Sequence, residues 1–151
     1  MKQSLLLLLF CLPFYVFSQS AGKFVLLEEF STAPCGFCPD GDVIADELVK
    51  KNPNIIWVTH HAGFGTDSMT VPESITIANA FTTFAPGAAI DRGDYQIPVY
   101  TMAPYIAVSR QKWDSVCTSH FNDPQGVYIG ITNNYNAATR LFSCTVDATF
   151  L

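Results

Sequence analysis

Two of the five cysteines stand three positions apart, in Cys35-Gly36-Phe37-Cys38, a spacing that lets both sulfurs meet one partner or each other. Residues 24–30 (FVLLEEF) before the motif read as a mostly buried strand. Residues 40–51 after it carry Val43, Ile44 and Leu48 at helical spacing. The sulfurs are therefore expected at a helix N-terminus, where unpaired backbone N–H groups and the positive end of the helix dipole stabilise a thiolate. Cys35 is the natural nucleophile, forming a mixed disulfide with a partner. Cys38, one turn on and less exposed, would then attack Cys35 and release that partner. The reverse sequence oxidises a dithiol. No Lys, Arg or His flanks the motif, and Pro39 removes a backbone donor early in the helix, so reactivity is expected to be modest.

Other elements must hold this pair in place. Residues 55–59 (IIWVT) form a second β-branched and aromatic run, and with the first strand and helix they make a βαβ unit with parallel strands. His60 and His61 close that strand and are read as loop residues without a catalytic role. After a Gly-rich loop, Pro72 opens a helix expected to run to Phe84, with Ala85-Pro86 breaking it. Residues 87–92 and 96–100 are expected to pair as a hairpin across Gly93-Asp94, with Pro98 on an edge strand. A last helix, capped by Thr101 and started by Pro104, is expected to end near Ser119. The order is β-α-β-α-β-β-α, sufficient for one small α/β domain over residues 19–121.

Residues 122–126 (NDPQG) read as a linker. Beyond it, residues 127–132 are a strand candidate, and residues 140–151 alternate, with Phe142, Cys144, Val146, Ala148 and Phe150 on one face. An apolar strand face needs a cover, so residues 127–151 are expected to begin a β-rich, sandwich-like domain of a longer protein.

Composition narrows the function classes. The chain has 151 residues, 49% of them hydrophobic and 14% charged, with net charge −5; that is too apolar for a disordered chain. Its eight basic residues are scattered rather than clustered, with only Lys50 and Lys51 adjacent, which argues against nucleic acid as a partner. Lys2, an apolar run over residues 5–17 and small residues at Ser18 and Ser20 have the order of a secretory signal peptide, with residues 1–18 removed and no transmembrane helix left in the mature chain. Lipidation at Cys11 is disfavoured by the bulky Phe10 before it. Export permits disulfides. Of the three complete pairings of Cys35, Cys38, Cys117 and Cys144, spacing favours Cys35 with Cys38. Cys117 and Cys144 are left as a bridge, as two buried thiols, or as partners of residues further on.

A Cys-x-x-Cys after the first strand of this element order resembles thioredoxin. The resemblance implies a three-layer α/β fold, no cofactor or metal, and an acid six residues before the first cysteine, here Glu29, buried as a proton relay. It also implies a cis-proline opening the third strand, matched by Pro86. That proline would present the Ala85 backbone, beside Phe37 of the motif, to an extended substrate peptide. Pro34, Gly36 and Phe37 depart from the Trp and the Gly-Pro usual at these places, so redox direction does not carry over. The pieces VLLEEF, CGFCP and APGAAIDRG are most similar to the family related to a twenty-eight-kilodalton bacterial outer-membrane protein. That likeness implies a periplasmic, outer-membrane or surface location and cysteine-containing exported proteins, or a redox protein, as partners. Three other readings stand beside exchange: a permanent bridge in a non-catalytic surface protein, a zinc site completed by Cys117 and His120, and a Glu29 that is a surface or simply paired carboxylate.

Overall fold

A computed structural model describes residues 22–150. The expected export signal, Cys11 included, lies outside the described residues. Among the described residues ten elements follow one another. Strand β1 (Val25–Ser31) leads to helix α1 (Cys38–Lys51), β2 (Ile55–His61), α2 (Pro72–Phe81), β3 (Gly87–Ile90) and β4 (Val108–Ser109). A 3₁₀ turn (Arg110–Lys112) then opens α3 (Trp113–Ser119), and β5 (Val127–Asn136) and β6 (Leu141–Phe150) complete the order.

The architecture is mixed α/β. Four strands form one sheet in the order β2-β1-β3-β4, with β1 parallel to β2 and the other two pairings antiparallel. The central strand β1 is buried on both sides, as its near-continuous apolar run requires. Val25 and Leu27 pack with Ala45, Leu48, Trp113, Val116 and Cys117 from α1 and α3. Phe30, on the other face, packs with Ala78, Ala62 and Ala107 and against Phe81 of α2. The sheet is thus a middle layer between helices, and the alternation of β1 assigns Glu29 to the α1 face and Glu28 to the α2 face.

Several boundaries differ from expectation. Helix α1 begins at Cys38 because Pro39 falls in the first turn, where a missing N–H costs nothing. Helix α2 stops at Phe81. There Thr82 is extended, and its Oγ1 both donates to Phe84 O at 2.7 Å and accepts from Phe84 N at 3.1 Å, a local alternative to helical bonding. The expected 87–92/96–100 hairpin is not formed. Tyr100 N and Thr101 N both donate to Ile97 O, curling 96–100 into a turn, and β3 takes Val108–Ser109 as its partner instead. The expected 104–119 helix shortens for a related reason. Ile106 N and Ala107 N donate to Phe81 O, closing α2's open end, and Val108 then enters the sheet, so helical bonding starts only at Arg110.

Lys23, just before β1, pairs with Asp91 Oδ2 at 2.9 Å and Asp123 Oδ2 at 3.4 Å, while Asp91 Oδ1 accepts from Leu26 N at 2.8 Å. This clasp ties the start of β1 to the end of β3 and to the segment after α3. Beyond it, β5 and β6 pair antiparallel over their whole length as a separate two-stranded sheet. Among the described residues no helix is long and apolar enough to cross a membrane.

Candidate redox site

The turn after β1 folds back on itself before α1 begins. Cys35 N donates to Thr32 O at 3.1 Å and Cys38 N to Cys35 O at 3.3 Å, which points the two side chains at one another. Their Cα atoms lie 5.4 Å apart and the sulfurs are joined in a disulfide. Both residues are buried, Cys35 at 4% and Cys38 at 1% relative exposure, so Cys38 is the more enclosed. Phe37 between them is 69% exposed.

Helix α1 rests on the sheet through Cys38, Gly41, Ala45 and Leu48, a stripe spaced at three and four residues. Gly41 is where Glu29 and Pro86 meet. A Cβ built there would stand 2.7 Å from Pro86 Cβ and 2.9 Å from Glu29 Oε1, distances no side chain tolerates. Glycine therefore lets the first turn of α1 press onto the Ala85–Pro86 peptide, which is cis, and onto the buried carboxyl. Pro86 is buried and Ala85 half-buried.

Glu29 is fully buried, so it is not a surface carboxylate. Its Oε2 accepts from the Trp57 indole N–H at 2.8 Å, and its Oε1 has no partner. Burial, and then the charge of Asp42, push its pKa up to about 7 against the pull of the indole hydrogen bond. Its neighbour Glu28 is the opposite case. On the α2 face it accepts two bonds from Arg92, at 2.7 and 2.8 Å, and its Oε1 lies 3.3 Å from His60 Nε2. The Arg92 bonds hold its carboxyl below the usual range despite burial. His60 also stacks on Phe30 and lies 3.4 Å from Ser74 Oγ. This is a structural network on the sheet face away from the cysteines.

His61 belongs to the cysteine edge. Its Nδ1 lies 2.9 Å from Asp67 Oδ2, the oxygen that also accepts from Ala33 N at 2.9 Å, and Asp67 Oδ1 accepts from Met69 N at 2.8 Å. The His61 bond, followed by the Ala33 amide, holds the Asp67 carboxyl well below the usual carboxylate range. Thr32 Oγ1 donates to Phe64 O. Loop 62–70 is thereby fastened to the turn that delivers Cys35. Gly63 and Gly65 take φ of +103° and +69° in this loop, and a cleft of about 430 Å³ opens between it, α2 and Tyr105.

Sequence spacing missed four of these neighbours. Arg110 comes from the far side of the chain. Its Nε donates to Asp40 Oδ2 at 2.6 Å and its guanidinium lies 5.6 Å from the Phe37 ring centroid, so a cation does flank the motif in space. Gly41, Asp42 and Trp57 have ordinary sequence contexts, and only packing brings them to Glu29. Cys117 is buried and unpaired, its thiol pushed up to about 12 chiefly by burial; Cys144 is unpaired and exposed. The two do not bridge, because one is enclosed in the core and the other stands on β6. The described residues contain no group of three or more His, Cys, Asp or Glu able to hold a metal ion. The zinc set of Cys35, Cys38, Cys117 and His120 is therefore not assembled.

No family model, no curated protein and no solved structure matches this chain.

Proposed function

We propose that this protein is an exported, thioredoxin-like thiol–disulfide oxidoreductase that exchanges disulfides with extracytoplasmic proteins through Cys35 and Cys38. The observation that carries the reading is the company the disulfide keeps. It sits at the head of α1 while, one turn on, that helix closes over a buried, unpaired carboxyl oxygen and a cis-prolyl peptide. A structural bridge needs neither. In the reduced protein the Cys35 thiolate attacks a substrate disulfide, breaking its S–S bond and forming a mixed disulfide with release of one substrate thiolate. Cys38 then loses its proton and attacks Cys35 Sγ, closing the enzyme disulfide and releasing the second substrate thiol. Glu29 is the candidate acceptor of the Cys38 proton. Ala85 and the exposed Phe37 are candidate contacts for the substrate peptide.

The near-complete burial of both cysteines favours a second reading, a structural staple in a non-catalytic surface or outer-membrane-associated protein. Insulin-disulfide reduction with dithiothreitol as electron source separates the two. The wild-type protein should accelerate reduction and Cys35→Ser should not. Equal rates for both, or no acceleration by either, would overturn the enzyme reading.

A further inference from the structure

Glu29 presents an unusual problem of hydrogen bonding. Its residue is wholly enclosed, one carboxyl oxygen is satisfied by Trp57, and the other is orphaned beneath the bare backbone of Gly41. A buried polar atom without a partner is costly, unless the missing partner is a proton on that atom with an acceptor of its own. The residue after Gly41 is Asp42, only half-buried, with Oδ1 3.5 Å from Ser31 Oγ. Ser31 follows Glu29 by two positions and so lies on the same face of β1, which places the Asp42 carboxyl beside Glu29 on the inner side and toward water on the other.

The remaining surroundings of Glu29 offer no rival. Strand β2 supplies Trp57 and, in register, Thr59; β3 supplies Ala88; the loop before β3 supplies Pro86. None of these carries a charge. Arg92 is engaged with Glu28 on the opposite face, and Arg110 with Asp40.

We propose that Glu29 Oε1 carries a proton that it donates to the carboxylate of Asp42, and that Asp42 is the outlet through which this enclosed proton reaches solvent. In keeping with that geometry, the nearby Asp42 carboxylate is one of the causes that raise the Glu29 carboxyl. The consequence for chemistry rests on the exchange reading above. When Cys38 gives its proton to ionised Glu29 and attacks Cys35, the carboxyl must be emptied before the next cycle. Glu29 then hands the proton through Asp42 to water, and the substrate thiolate takes up a proton in turn. No oxidant beyond the substrate disulfide is needed.

The test uses the full chain, with Asp42→Asn, Asp42→Ser and the conservative Asp42→Glu. In the oxidised protein, where the cysteines cannot titrate, the Glu29 side-chain carbon is followed by NMR against pH. Removing the neighbouring negative charge should lower its midpoint by about one pH unit in both neutral variants, and Asp42→Glu should restore it. In parallel, steady-state disulfide exchange, in which Glu29 must be emptied between cycles, should slow about fivefold or more in the neutral variants and recover in Asp42→Glu. An unmoved Glu29 midpoint overturns the proposal whatever the rates do. A moved midpoint with unchanged steady-state exchange overturns the outlet role. A wild-type protein that shows no exchange at all defeats the enzyme reading instead, and the titration alone then decides whether the two carboxyls are joined.

Discussion

A single buried carboxyl writes its signature on the pH dependence of stability. The folded pKa of Glu29, about 7, lies above the ordinary 4.5 of the unfolded chain. Between those values the native state holds a proton that the unfolded state releases, so stability is fullest below about pH 4.5 and declines as pH rises through about 7. The loss is on the order of 3 kcal/mol. Glu29→Gln cannot ionise and keeps an acceptor for Trp57. In the oxidised protein it should flatten this slope and be the more stable variant at pH 8 in urea denaturation. A slope unchanged by the substitution would mean that Glu29 is hydrated. Of this centre, the cysteine pairing was legible in the sequence from its spacing, whereas Glu29 and Pro86 were singled out only through the resemblance to thioredoxin, which they match by position and chain order. Asp42 and Gly41 were not legible: their meaning depends on which turn of α1 lands on Pro86, a packing result with no local pattern.

At the scale of elements, the turn delivering Cys35 is only as well ordered as the loop braced against it. Asp67 joins that turn to β2 through Ala33 and His61 and closes its own loop on Met69. Asp67→Ala removes these three bonds together with the one from Thr70 Oγ1 at 3.4 Å. It should speed hydrogen exchange at the Ala33 and Met69 amides about tenfold or more while the buried turns of α1 exchange as before. Equal protection in both proteins would show that the loop is held by the Thr32–Phe64 bond instead. The sequence marked this loop only as glycine-rich. It misread 87–119 for a different reason. Apolar residues such as Ile97, Tyr105 and Ile106 fit strand or helix periodicity equally well, but they pack as an irregular segment whose backbone donors serve the end of α2 and a turn. Periodicity identifies apolar faces; it does not say which hydrogen bonds compete for the backbone.

The whole molecule divides its apolar surface unevenly. The four-stranded sheet and its helices enclose Trp113, Phe30, Leu27 and Ile90 completely, whereas β5 and β6 leave Ile129, Ile131, Phe142, Val146 and Phe150 exposed on one face. A lone two-stranded ribbon adds little stability. A chain ending at Gly126, which retains the Lys23–Asp123 clasp, should melt within about 2 °C of the full chain by circular dichroism, against the 4–8 °C expected for each kcal/mol of lost stability in a domain of this size. A drop of that larger size would show that the ribbon supports the sheet. The mixed α/β class and the β-α-β-α-β-β-α order were readable from apolar runs and breakers, while the identity of the fourth strand, only two residues long, was beneath the reach of pattern. The ion pair between Lys23 and Asp123 has one more implication. The points where the backbone enters and leaves the sheet-and-helix unit are near neighbours, so the unit has the geometry of a plug-in cassette, one that could be spliced into a surface loop of a host protein, or rejoined head to tail and reopened elsewhere, with only a few added residues.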